Sequence, residues 1–448
     1  MTFNKPVTNT TTDEITHRTV WGLAAPIMLS NISVPMVGAV DTAVMGHLDG
    51  PEYIGAVALG ALVFSFLYWG FGFLRMGTTG FVARAHGRGD SREVHDTLLR
   101  AMLLGLAFGS LVVIFKVPLD RLAFGILAGS DAVESLASQY VSIRIFSAPA
   151  TLCIYAMTGA LIGLQDTRGA LYLQLVLNLT NVALDFLFVP VLELGVTGVA
   201  MASLIAEYSA VVFGIYLLKD QLRAHPFDWS RLSDTKALGV LMRANFDIFI
   251  RTLCLVFSFS YFTALGARFG DAILAANAVL MTFVNITAYA LDGFAHAVEA
   301  LGGSAFGAGR VERFKNAVKR STQWAGLTAI IAVLGYWLFG DQLIALLTNQ
   351  ATVQNDAAEY LPWLVVAPII SVWSFQLDGI FIGTSQTAQM RNAMLLSTIG
   401  YLLILQFTVP AFGNHGLWLG LMLFMVLRAI TLGAYYPKIL VSLEHRGE

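Results

Sequence analysis

Charge is what this sequence has least of. Its 27 Lys and Arg and 29 Asp and Glu make up 12 % of 448 residues, about half the share of an ordinary globular protein. Apolar residues make up 56 %, and mean hydropathy is +0.69. A disordered chain and a cytosolic enzyme are excluded as default readings on that ground. The net charge of −2 offers no general attraction to phosphate backbones, so no nucleic-acid partner is expected. Cysteine is nearly missing as well. Cys153 and Cys254 lie in apolar runs without metal spacing or a disulfide framework and read as buried free thiols. No His-Glu metal pair, Ser/His arrangement or soluble active-site loop is present, and Gly302-Gly303-Ser304 and Gly307-Ala308-Gly309 match neither a phosphate loop nor a nucleophile elbow. No metal or cofactor is therefore expected. His86 and His95, in a basic loop, read as solvated. The first apolar run is too long for a secretory signal and lacks a small-residue cleavage site, so it stays in the mature chain.

Apolar length is what the chain has in abundance. Stretches of about 20 apolar residues, enough to cross a bilayer as a helix, recur twelve times. They cover 21–47, 54–80, 96–116, 139–163, 169–192 and 196–218, then 242–268, 273–301, 319–340, 360–384, 391–412 and 416–440. Lys and Arg gather in the segments on the side of the N-terminus, and only Lys116, Arg121 and Arg268 fall on the other side. Cytoplasmic loops collect such residues, so both termini are expected in the cytoplasm of a multi-pass protein of the cell inner membrane. A shift of 220 residues lays Gly46 on Gly266, Gly50 on Gly270, Ala85 on Ala305, Gly89 on Gly309 and Gly163 on Gly383. An even number of spans per half makes the repeats alike in topology and related by a pseudo-twofold axis along the membrane normal. The expected fold is thus an all-α polytopic membrane protein, twelve transmembrane helices in two six-helix lobes. Residues 1–20 would be a cytoplasmic N-terminal segment, 21–218 the N-terminal lobe, 219–241 a cytoplasmic linker and 242–448 the C-terminal lobe. Rocking of such lobes gives alternating access.

A charge at the bilayer centre costs about 2.5 to 3.5 kcal/mol on insertion scales, yet eleven lie within spans. The acids are Asp41, Asp185, Glu207, Asp247, Asp292, Glu299 and Asp378; the bases are Arg75, Arg144, Arg251 and Arg428. An acidic excess suits protons or organic cations and does not suit an anion carrier. Asp41 and Asp185 stand at one height, six and seven residues before the outer ends of spans 1 and 5, with no arginine evident at that depth. Asn178, Asn181 and Asp185 are spaced i, i+3, i+7 and share a stripe, and Ser203 of span 6 is level with the carboxylates. These groups make a candidate proton and cation site; Asn and Ser as mere glue between helices is the alternative. In the second half Asp247 and Arg251 are i, i+4, and Arg251 with Asp292 or Asp378 reads as a structural ion pair or, alternatively, a second ion site. Arg75 and Arg144 lie within two turns of helix ends and can snorkel. Pro26 and Pro35 each remove a backbone hydrogen bond from span 1, inviting a bend below Asp41.

Val40-Asp41-Thr42-Ala43-Val44-Met45-Gly46-His47-Leu48, Gly77-Thr78-Thr79-Gly80, Gly163-Leu164-Gln165-Asp166-Thr167, and Asn181-Val182-Ala183-Leu184-Asp185 together resemble the multidrug and toxic compound extrusion (MATE) family, over essentially the whole chain. Leu74-Arg75-Met76 and Ala290-Leu291-Asp292-Gly293-Phe294-Ala295 are similar to its DinF-like branch. The resemblance implies a monomeric antiporter that expels small organic, mostly cationic or amphipathic compounds against an inward flow of protons or sodium. It implies that Asp41, Asn181, Asp185 and Ser203 form the site, that Tyr140 lies nearby, and that Pro26 is the bend of helix 1. Ser203 stands where threonine is more usual. The absence of a glutamate from span 7 favours protons over sodium. Two other classes stay open: a lipid or lipid-linked oligosaccharide flippase of the same superfamily, expected to carry a basic cavity, and a membrane-embedded enzyme.

Overall fold

The computed structural model describes residues 14–46, 48, 50–126 and 130–447. Most of the expected N-terminal segment, with Lys5, and His47 of the first motif lie outside the described residues. Helices follow one another as α1 (His17–Met45), α2 (Pro51–Gly70), α3 (Phe73–Gly87), α4 (Ser91–Ile114), α5 (Lys116–Ile126), α6 (Asp131–Arg144), α7 (Ala148–Gly163), α8 (Thr167–Phe188) and α9 (Gly195–Leu217). Then come α10 (Lys219–Arg223), α11 (Trp229–Leu232), α12 (Thr235–Gly266), α13 (Asp271–Gly307), α14 (Val311–Leu347), α15 (Ala351–Gly383), α16 (Thr387–Gly433) and α17 (Tyr436–Gly447). No strand occurs among the described residues.

Eleven continuous stretches are long and apolar enough to cross a membrane. The last, Thr387–His445, holds two of the expected spans, because Gly413 (φ 57°, ψ −131°) breaks α16 between them. Twelve spans result, six in each half. Several helices outrun their apolar stretches: α14 begins at Val311, eight residues before the run at 319–340. Hydropathy reports only the part a bilayer would cover, while backbone hydrogen bonding carries the helix on through polar residues. For the same reason α12 starts at Thr235, inside the expected linker. The rest of that linker is folded onto α4. Asp228 caps α11 by accepting from the Ser230 amide at 3.0 Å, and Arg231 Nε donates to Asp96 Oδ2 at 2.9 Å. His95, expected to be solvated, is instead buried against Asp96 at 3.0 Å, because the linker covers it. Cys153 is a buried free thiol as expected, whereas Cys254 is only half-buried.

The chain divides into two compact units, one of residues 29–242 and one of the described residues up to Met28 together with those from Arg243. α1 is shared between them, two residues after Pro26. In the second unit Val20, Leu23 and Ala24 pack into a core with Leu291 and Phe294 of α13, Ala325 of α14 and Val372 of α15.

The internal repeat extends to backbone detail. A Cβ on Gly159 or Gly163 of α7 would lie 2.4 Å from the Arg75 carbonyl oxygen or 2.8 Å from that of Thr79, both on α3. At 220 residues further on, a Cβ on Gly379 or Gly383 of α15 would lie 2.3 Å from the Ala295 oxygen or 2.4 Å from that of Glu299, both on α13. Two residues after the second glycine of each pair the chain turns through a left-handed residue, Gln165 (φ 64°) and Ser385 (φ 54°). Each half is therefore built on one helix pair that only glycine allows to touch. Gly379→Ala should force α13 and α15 apart at a cost of about 1 to 3 kcal/mol. The expected reading is a lowered Tm in detergent, with Gly326→Ala, which meets open space on α14, unchanged or slightly stabilised.

Candidate functional site

α8 starts on Asp166, whose carboxylate accepts from the Gly169 amide at 2.9 Å. Its buried face includes Asn178, Asn181 and Asp185, while Leu179, Phe186 and Leu187 point outward. Asp185 (0 % exposed) faces Asp41 (8 % exposed) of α1, and the two carboxyls interact directly. Neither oxygen of Asp185 receives a hydrogen bond from a described residue, nor do Asp41 Oδ1 and Asn181 Oδ1. Asn181 Nδ2 donates to Ser203 Oγ at 3.2 Å, so α9 contributes as expected. Asn178 is spent otherwise: it accepts from Gln174 Nε2 and donates to Ser33 Oγ, both at 2.8 Å. It ties α8 to α1 below the carboxyls. A buried carboxylate pair without donors is unfavourable, and a single proton held between the two supplies the missing donor. Its other solution is an incoming cation.

Tyr140 of α6 is fully buried. Its ring lies 6.2 Å from that of Phe64 and packs on Gly60, where a Cβ would come 2.4 Å from it. Its hydroxyl accepts from Arg144. Arg144 itself departs from the expectation of snorkelling. α6 and α7 form one continuous helical stretch, Asp131–Gly163, whose start lies about 20 Å beyond Arg144 along the helix, and the guanidinium is engaged by its neighbours. It stacks under Phe64 at 4.9 Å and interacts electrostatically with Glu207, Tyr68 and Asp41. So an arginine does act on the acidic pair. The spacing held the signal: Arg144 is five residues from the outer end of 139–163 and Asp41 six from the outer end of 21–47, which puts the two at one height. Glu207, one turn from Ser203 on α9, is buried and accepts from the Thr151 hydroxyl.

The second unit handles its charges by direct pairing. Asp378 accepts from both Arg251 and Arg428, the latter at 2.7 Å. Asp292 acts electrostatically on Arg428. Asp247 does not join them, although it is i, i+4 from Arg251. It accepts from Arg391 at 2.5 Å and from Thr387 at 3.0 Å, both at the start of α16. The four residues expected to form one network thus fall into two, since α16 offers Asp247 nearer donors than its own helix does. Arg428 is the member that sequence spacing missed; two buried bases facing one acid would have been its signal. Glu299, fully buried, pairs with His296 at 2.9 Å. Among the described residues no group of three His, Cys, Asp or Glu is placed to hold a metal ion. Asp378→Asn strands two buried guanidinium groups and should cost about 3 to 5 kcal/mol. Thermal unfolding in detergent should show a large loss for this variant and none for Asp41→Asn.

A family model, MatE, matches residues 26–187 and again 248–408, once in each half of the repeat. The chain is 41 % identical over 423 residues to DNA damage-inducible protein F of Escherichia coli (strain K12), covering 94 % of this chain and 92 % of that protein. It is 26 % identical to the probable multidrug resistance protein NorM of Rhizobium meliloti (strain 1021), covering 93 % and 92 %. A crystal structure described as MATE in the bent conformation shares the fold, with a TM-score of 0.86 at 20 % identity and 96 % coverage of both chains. Two matched copies, near-complete coverage of relatives and a shared fold agree with the motifs around Asp41 and Asp185: this chain belongs to the MatE family.

Proposed function

We propose that this protein is a secondary active antiporter of the inner membrane that exports small organic cations in exchange for protons, acting as a monomer by alternating access with both termini in the cytoplasm. The observation that carries this reading is the Asp41–Asp185 pair, buried and, among the described residues, without a donor on three of its four oxygens. Such a pair binds either a proton or a cation, and one displaces the other because both answer the same deficit of positive charge. Asn181 and Ser203 line the position beside it, and the Tyr140 hydroxyl holds Arg144, which acts on Asp41. Pro26, which removes one backbone hydrogen bond from α1, would let the segment carrying Asp41 bend. The name of the Rhizobium relative, a probable multidrug resistance protein, supports export of such compounds.

Asp41→Asn should abolish proton-driven export of a labelled lipophilic cation from vesicles while leaving expression intact. Export that persists, with the same dependence on an imposed pH gradient, would refute the assignment. Stoichiometry follows from energetics. One proton moving inward down about 100 mV and one pH unit releases about 2.3 and 1.4 kcal/mol respectively. Exchange for one monovalent cation cancels the voltage contribution and leaves only about 1.4 kcal/mol, a tenfold gradient. Two protons restore it, and two carboxyls are there to carry them. Transport of a monovalent cation is therefore expected to be electrogenic, accelerating when a valinomycin-set potential is imposed at fixed pH gradient.

A further inference from the structure

Arg144 is an anomaly within the first unit. In the second unit the buried guanidinium groups of Arg251 and Arg428 donate directly to Asp378. Arg144, half-buried, donates to no carboxylate among the described residues. It donates to the Tyr140 hydroxyl, and its Nε is buried with no hydrogen-bond partner among the described residues. Two acidic centres act on it electrostatically: Glu207 on α9, and Asp41 on α1 together with Asp185 on α8. The same field reaches Tyr68 of α2, Tyr140 of α6, Tyr155 of α7, on which Arg75 of α3 also acts, and Tyr208 of α9, on which Glu207 acts. Glu207 is itself held, by the Thr151 hydroxyl, and Tyr68 is held through Ser147 at 3.4 Å. The arginine is thus held by a tyrosine hydroxyl and not by a carboxylate, under the field of one anchored acid and of an acidic pair that lacks donors on three of its four oxygens among the described residues, in a region where an uncompensated charge of either sign is costly.

We propose that Arg144 is a tethered competitor for the Asp41–Asp185 pair, a positioning residue that neutralises the carboxyls when they are ionised and empty and withdraws toward Glu207 when a proton or an organic cation arrives. The proposal rests on the reading of that pair as the cation site. The tether has a consequence for exchange. Without it, a transporter that has released its cargo holds two bare carboxylates in the membrane, which would either hold cargo too tightly or fail to change conformation. With it, release of cargo is assisted by a cation that cannot leave. Glu207 has the opposite part, since it gives Arg144 somewhere to go and so keeps the pair open to cargo.

The two variants must therefore act with opposite sign. Equilibrium dialysis of the purified full chain in nanodiscs, with labelled tetraphenylphosphonium as probe and triphenylphosphine oxide as its uncharged counterpart, reads this directly. Arg144→Gln should bind tetraphenylphosphonium roughly five- to tenfold tighter, the effect of removing a like charge several ångströms away in a partly screened interior. Binding of the uncharged compound should be unchanged. Glu207→Gln should bind the cation more weakly, the double variant should behave like Arg144→Gln, and Arg144→Lys, which keeps the charge, should resemble the unaltered protein. A packing defect would move both probes together and could not produce opposite signs. Cation affinity that falls or stays constant in Arg144→Gln, with the Arg144→Lys protein folded and binding normally, would overturn the tether alone. If Asp41→Asn and Asp185→Asn also bind the cation unchanged, the acidic pair is not the site, and both readings fall.

Discussion

A charge in a bilayer must be neutralised, and that constraint arranges most of what is polar in this protein. With so little charge in the chain, each buried ionisable group is placed against something. The second unit satisfies the rule by contact: Asp378 takes two arginines, Asp247 takes Arg391 and a threonine, and Glu299 takes a histidine. The first unit leaves it unsatisfied where Asp41 and Asp185 face each other, three of their four oxygens having no donor among the described residues. A site that must bind and release a proton or a cation needs that incompleteness, because a carboxylate already saturated by a fixed partner has nothing to exchange.

The repeat separates scaffold from chemistry. Positions 220 residues apart share the glycines that let α7 meet α3 and α15 meet α13, and even the left-handed turn residues that follow. The site residues are not shared. Asp41, Asn181 and Asp185 correspond to Tyr261, Tyr401 and Leu405. In the second unit these belong to, or pack against, an apolar core with Phe262 and Trp418. Backbone approach is set by small residues and turns, so it survives duplication. Side-chain chemistry is not bound by that geometry, and the two halves diverge in it while keeping one architecture.

The sequence alone determined the class of molecule, the number of spans and the existence of the repeat. All three follow from properties that are additive along the chain: apolar length, the scarcity of charge and the recurrence of glycine. It also placed Asp41, Asp185, Asn181 and Ser203 at one depth, because in a helix bundle height can be counted from span ends, and Asn181 and Ser203 are indeed joined. Counting fails where the question is which helix is adjacent. Arg144 reads as a snorkelling residue in the sequence, although in the structure it is engaged by the Tyr140 hydroxyl and acts on Asp41. Asp247 was grouped with Arg251 by an i, i+4 spacing, while α16 supplied it nearer donors. The partners of a buried charge are decided by the packing of helices remote in sequence, and only the tertiary structure contains that information. Coulombic neutralisation depends on distance through space, for which separation along the chain is no measure.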